Sequence, residues 1–347
     1  TFRTIPVDFI VFAPNIQNST FTPYKGYQKY QKKSMDFYQV VKILLDLDIS
    51  LKQRFEQVAN EMRLRLKQRP SLDTLRNMIS DKGIGTFAKC HRLGKKDLLR
   101  IVERGKIVGV DGSTNSSKGH FPYVITLQQA MAKPCSNDES AITITDALSP
   151  ITMGNFSSEE EYREFVKRNL AGLEVKAAVA AIDEYSPKVI LLDGSLVRYK
   201  IEAPPLWQKL KSLALAKNII LVGVVEGIST NLISQCLKDD LAEAIHHASD
   251  WEILFGLLDV GERLEIAQGL FKEGFRTFFM RSSIDPKPIG IDLLEEQQIY
   301  LNEVANLVYT LTPKDGRGIP LWLDIIDKSV RISDKVMEGL LSTYLGE

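Results

Sequence analysis

The chain has 347 residues and is 44% hydrophobic, enough for one large domain or two modest ones. Lys plus Arg equals Asp plus Glu at 44 each, so the total charge does not point to wholesale coating of a polyanion. The charge is unevenly divided: residues 1–106 carry 21 basic and 10 acidic side chains, and residues 107–347 carry 23 and 34. A basic first part suits a grip on a polyanion, and an acidic remainder is where a cation site belongs. Cys90, Cys135 and Cys236 show no CxxC spacing, which excludes a disulfide scaffold and a thiolate zinc site. Arg3, Pro6 and Asp8 break up the short apolar start, and no apolar run approaches roughly 18 residues. A cytoplasmic protein without a membrane span is expected.

Residues 1–35 are rich in Thr, Asn, Gln, Tyr and Lys and read as an irregular arm. Residues 36–105 read as a basic helical region, with helices over 36–69 and from Ser71 to about Gly83, and a short one over Lys95–Arg104. The character changes at Lys106, and residues 106–347 read as the main α/β core. Ile107-Val108-Gly109-Val110 is an apolar strand that meets Asp111-Gly112-Ser113. Strands are expected over Tyr123–Ala130 and Ala141–Ala147, then a long helix over Glu159–Glu184. Val189-Ile190-Leu191-Leu192 is a second apolar strand that meets Asp193-Gly194-Ser195, 82 residues after the first. A helix over Pro205–Lys217 and a strand over Ile219–Val225 follow, then a helix over Asn231–Ala248. Late strands over Thr277–Ser282 and Ile289–Leu293 precede a helix over Glu295–Tyr309 and a helical stretch over Leu321–Leu345 that admits breaks. Apolar strands alternating with helices indicate a mixed sheet covered by helices.

An Asp at the C-terminal end of such a strand sits at the sheet rim, where α/β folds bind ligands. Two of them in one sheet can converge on a divalent cation such as Mg²⁺ or Mn²⁺, which prefers oxygen ligands. The plain alternative is that Asp-Gly is a turn pair and Ser a helix cap. Glu174 lies on the long helix among Leu170, Leu173, Val175 and Ala178, so it is either a buried carboxylate needing a partner or a solvated mate of Lys176 or Arg168. Asp324 and Asp327 share a helix face in an apolar surround, and Asp327 with Arg331 is also a plausible i,i+4 ion pair.

These segments, IVGVDGS at 107–113, GLEVKAAVAAI at 172–182, VILLDGSL at 189–196, LVGVVEG at 221–227 and GIPLWLDIIDKSVRI at 318–332, resemble in order and spacing the NurA family of DNA repair nucleases. The resemblance implies an RNase H-like α/β fold with an added helical subdomain. It implies a Mn²⁺- or Mg²⁺-dependent nuclease, a single-strand endonuclease and 5′-to-3′ exonuclease that processes DNA ends at double-strand breaks. It also implies a homodimer that works with a HerA-type hexameric ATPase. Matched motif by motif, Asp111, Glu174 and Asp193 fall on the metal-binding carboxylates. Asp327 falls where the family commonly has His, and Ile319 where it commonly has Tyr. Glu226 ends a strand where relatives often carry Lys.

Other readings stay open. An apolar strand ending in Asp resembles a Walker B element, but no G-x-x-x-x-G-K-[ST] stretch exists. Asp111-Gly112-Ser113-Thr114-Asn115 loosely resembles the metal-binding element of von Willebrand A-type binding modules. Ile319 and Asp327 also fit a catalytically impaired scaffold for a DNA-translocating ATPase. Arg63, Arg65, Lys67 and Arg69, and Lys89, His91, Arg92, Lys95 and Lys96, suit phosphate contact on DNA, and equally a solvated helix face or a dimer seam. Phe21, Tyr24, Tyr27, Tyr30 and Phe37, interleaved with lysines, suit stacking on single strands or packing on a partner.

Overall fold

Short runs of Val, Ile and Leu with little polar interruption make strands buried on both faces, and these form the centre of the sheet. The computed structural model describes residues 49–136, 139–154 and 156–346. Nine strands form one mixed sheet: β1 (Gly85–Lys89), β2 (Lys106–Ser116), β3 (Thr126–Pro134), β4 (Ile142–Leu148), β5 (Pro187–Asp193), β6 (Ile220–Val225), β7 (Glu262–Ile266), β8 (Phe275–Arg281) and β9 (Ile289–Leu294). Their order across the sheet is β1-β7-β8-β9-β6-β5-β2-β3-β4. β2 runs parallel to β5, and β5 parallel to β6, while the other neighbours are antiparallel.

The described residues divide into two units. One comprises, among the described residues, 49–71 with 238–246, and its principal element is helix α1 (Ile49–Lys67). The other, residues 72–237 and 247–347, holds the sheet. Its longer helices are α2 (Leu72–Asp81), α3 (Lys95–Glu103), α4 (Glu159–Tyr185), α5 (Leu196–Glu202), α6 (Pro204–Ala216), α7 (Leu301–Leu311), α8 (Leu321–Val330) and α9 (Asp334–Leu345).

Each face of the sheet has its own core. On one face Val108, Val110, Ile190 and Leu192 pack with Ala171, Ala177, Ala178 and Ala181 of α4 and with Trp207 and Leu210 of α6. The alanines let a 27-residue helix lie close to the strands. On the other face Ile107, Val189, Leu191, Val222 and Ile291 pack with Val304, Leu307 and Val308 of α7 and Leu323 of α8.

Several elements differ from the sequence reading. The helical region expected over 36–105 contains a strand, β1, whose backbone pairs with β7. Residues 72–105 therefore fold with the sheet. β1 and β7 are short, and β7 alternates charge with apolar residues, so neither shows an apolar run. The single helix expected over Asn231–Ala248 is instead a five-residue helix, Leu232–Cys236, followed by two 3-10 turns. Its start is capped by Asp250, whose buried carboxylate accepts from the N–H groups of Leu232 and Ile233 and from the Thr230 hydroxyl. The helical stretch expected over Leu321–Leu345, with breaks allowed, is two helices, with Ser333 capping α9 through its side chain. The expected arm at 1–35 and its aromatic–lysine cluster lie outside the described residues, as does the start of the first helix.

Gly223 on β6 shows how tightly the strand ends are set. A Cβ there would lie 2.7 Å from the Gly194 carbonyl oxygen and 3.0 Å from the Leu196 nitrogen, both backbone atoms. We expect Gly223→Ala to cost about 1–3 kcal/mol through forced backbone shifts. Urea unfolding measures it, and an unchanged midpoint would show that the strand end can yield.

Candidate active site

Parallel pairing of β2 with β5 sets Val110 against Leu192, so Asp111 and Asp193 occupy the next position on adjacent strands. Side chains alternate along a strand, which puts both carboxylates on the same face as Gly109 and Leu191, the face covered by α8. The two Asp-Gly-Ser segments are not equivalent, however. β5 ends at Asp193, but β2 continues through Asp111-Gly112-Ser113 to Ser116, paired throughout with β3. The turn reading therefore fails for the first segment.

Gly112 serves close approach instead. Its missing side chain makes room for Glu174: a Cβ at Gly112 would lie 2.4 Å from Glu174 Oε1 and 2.8 Å from its Cγ. The α4 carboxylate thus arrives from the opposite face at the level of Asp111. Glu174 is 1% exposed and Asp111 7%. The Glu174 Oε2 atom is buried without a well-formed hydrogen bond, and its nearest cation is Arg198 of α5, whose Nη2 lies 2.9 Å away. Arg198 also binds Glu202 at 3.0 Å.

Asp327 is delivered by α8. That helix is moored over β2 and β3 by Trp322, whose indole N–H donates to the Lys133 carbonyl at 2.9 Å. Beyond its end, Ser113 accepts from the Ile332 N–H at 3.1 Å, and Asn115 donates to the Ile332 carbonyl at 3.1 Å. Asp327 pairs with Arg331 at 3.0 Å, and Arg317 Nη2 lies 3.9 Å from it. Arg317 also reaches Asp324 at 2.7 Å and Glu226 at 2.9 Å, forming a charged rim. Ile319 is 1% exposed and belongs to the core beneath α7 and α8.

The four carboxylates feel one another. Burial pushes the Asp111 carboxyl up to about 8, with Asp193, Glu174 and Asp327 adding repulsion and the Gly112 N–H opposing. Burial pushes Asp193 up to about 6, against the attraction of Arg317 and Arg198. Glu174 is also raised by burial, with Arg198 opposing. Such a cluster of hard oxygen donors, short of positive charge, suits a hard divalent cation in its chemistry. Among the described residues no three His, Cys, Asp or Glu side chains form a ready ligand set, so binding an ion requires the carboxylates to turn toward it.

Arg198 and Arg317 were not singled out by the sequence reading. Arg198 lies one turn into the helix after the second Asp-Gly-Ser, which is the one local signal it had. The expected DNA-binding cluster at residues 89–96 is divided. Lys89 pairs with Asp259 at 2.7 Å, and Arg92 donates to the Thr310 and Thr312 carbonyls while stacking on Tyr309. Lys95 and Lys96 remain exposed at the start of α3, as do Arg63 and Lys67 on α1. Among the described residues no helix is long and apolar enough to cross a membrane.

No curated protein matches the sequence. Among solved structures, the chain is similar to the NurA nuclease from Sulfolobus solfataricus, at 14% identity and TM-score 0.54 over 89% of this chain and 96% of that one. It also matches endonuclease V from Bacillus subtilis at 15% identity and TM-score 0.40, over 78% and 93% of the two chains. The first likeness accords with the RNase H-like mixed sheet expected from the sequence. The model of the NurA domain matches residues 105–332, which take in all four carboxylates, and the chain belongs to the NurA domain family.

Proposed function

We propose that this protein is a divalent-metal-dependent nuclease acting on DNA. The observation that carries this reading is the adjacency of Asp111 and Asp193 on parallel strands, with Glu174 admitted beside them through the gap at Gly112. Asp111, Glu174 and Asp193 would hold Mn²⁺ or Mg²⁺, with Asp327 contributing from α8. When bound, such an ion supplies Lewis-acid charge to the phosphodiester and lowers the pKa of water. Arg198 opposes the burial that raises the Glu174 carboxyl. Arg317, partly exposed at the rim, offers a guanidinium to a backbone phosphate. Asp327 does not reproduce the imidazole common at its position in the family, so proton transfer there falls to other groups. Single-strand endonuclease and 5′-to-3′ exonuclease activity on break ends, a homodimer and a HerA-type ATPase partner complete the proposal on the family resemblance.

A second reading is favoured by one observation: Ile319 is sealed in the core and Asp327 is ion-paired to Arg331. A chain so altered would suit a scaffold with reduced activity. Labelled single- and double-stranded DNA incubated with Mn²⁺, Mg²⁺ or EDTA separates the two. The nuclease reading expects cleavage with either ion and none in EDTA. It expects Asp111→Asn and Asp193→Asn each to lower the rate at least about 100-fold, since each removes one carboxylate from the ion. Absence of cleavage by the wild type under every condition supports the scaffold.

Acid dependence gives an independent check. Asp111 titrates near 8 and Asp193 near 6 in the folded chain, against about 3.9 unfolded. The folded state therefore holds more protons than the unfolded state across that interval, and its stability falls as pH rises through it. Asp111→Asn removes the larger part of this penalty. In EDTA, the gain in Tm of Asp111→Asn over wild type should be greater at pH 8 than at pH 5. An equal gain at both would mean that Asp111 ionises normally.

A further inference from the structure

One buried charge lies beside the site without belonging to it. Asp292 on β9 has no exposed surface. Its carboxylate accepts from the hydroxyls of Ser195 and Thr277, each at 2.7 Å, and from the Leu196 N–H at 3.3 Å. The Lys272 ammonium donates to both of its oxygens, at 2.7 and 2.8 Å. Lys272 also lies 3.2 Å from Ser195 Oγ.

Burying an ion pair is a poor way to gain stability alone, since apolar residues of similar volume often serve as well or better. A carboxylate offers something else: two oxygens that accept from several directions at once, where an amide offers one. Two of its hydrogen bonds here go to residues 195 and 196, directly after Asp193. The Gly194 N–H donates to the Val224 carbonyl at 2.7 Å. Each of the three residues following Asp193 is thus tied to β6 or β9. Lys272 balances the Asp292 charge, so the brace adds no net repulsion to a site already rich in carboxylates.

We infer that Asp292, charge-balanced by Lys272, is a positioning residue that acts through Ser195 and Leu196 to aim the Asp193 carboxylate beside Asp111. This inference rests on the proposed function, in which those carboxylates hold a divalent ion. Asp292 itself is not a ligand, because both its oxygens are engaged. The role is the familiar one of an outer partner that fixes the direction of an inner one.

The test is Mn²⁺ binding by the full chain, followed by the electron paramagnetic resonance of the free ion, with cleavage kinetics alongside. Ser195→Ala removes one hydroxyl and leaves the Asp292–Lys272 pair intact. It should weaken Mn²⁺ binding about 10-fold and lower kcat, with KM for DNA unchanged. Ser195→Thr keeps the hydroxyl and should bind Mn²⁺ as wild type does. Asp292→Asn should weaken binding in the same direction, and Ser195→Ala carries the test if that variant does not fold. Ser234→Ala is the control. It removes a buried hydroxyl that donates to the Ala248 carbonyl at 2.7 Å, and should lower Tm without altering Mn²⁺ binding. If Asp193→Asn loses Mn²⁺ while Ser195→Ala binds it normally, the metal site stands and the positioning role is overturned. If wild type and Asp193→Asn bind Mn²⁺ alike, the metal-site reading falls and the inference falls with it.

Discussion

Parallel hydrogen bonding between β2 and β5 governs the rest of the site. Register in a sheet is set to the residue, and a slip of one would send Asp111 to the face of α4 while leaving Asp193 under α8. The apolar residues that precede each Asp prevent that slip. Val108, Val110, Ile190 and Leu192 must all face α4, and Ile107, Val189 and Leu191 must all face α7 and α8. Two like charges are therefore held side by side by hydrophobic packing on both faces. Burial raises both carboxyls, with repulsion from Asp193 adding at Asp111 and repulsion from Glu226 and Asp327 adding at Asp193. The core does the positioning, and the electrostatic cost is concentrated at one rim of the sheet.

The two serines of the repeated Asp-Gly-Ser show how one short motif supports different geometry. Ser113 accepts from the Ile332 N–H and so ties β2 to the chain that follows α8. Ser195 donates to Asp292 and ties the end of β5 to β9. Neither side chain makes the local helix cap that the motif suggests, and α5 has no side-chain cap at Ser195. Both bonds span long stretches of sequence and exist only once the sheet is assembled.

That difference explains what could be read in advance. Asp111 and Asp193 were legible because each follows an apolar run that marks a strand buried on both faces. Glu174 was legible as a carboxylate among apolar neighbours. Its route through Gly112 was not, because it depends on where α4 crosses β2. Arg198 meets Glu174 only through the packing of α5 on α4. Asp292 sits in Ile289-Gly290-Ile291-Asp292-Leu293-Leu294, an apolar strand with one charge, and gains meaning only when Lys272 and Ser195 surround it. The outer strands β1 and β7 were missed because their pairing bridges distant residues and their faces carry charge. The helix expected across 231–248 failed because the break after Cys236 has no Gly or Pro to mark it.

β2 has a further consequence. Asp111 stands in the middle of an eleven-residue strand that is paired with β3 on one side and, up to Val110, with β5 on the other. Its main chain has almost no freedom. Asp193 stands at a strand terminus and Glu174 at the tip of a longer side chain. The site is therefore built with one wall held by strand pairing on its own main chain and two held by contacts from neighbouring elements. If the site holds a divalent ion as proposed, adjustment to ions of different radii would fall to the β5 and α4 side, with Asp111 as the reference point against which the other two are set.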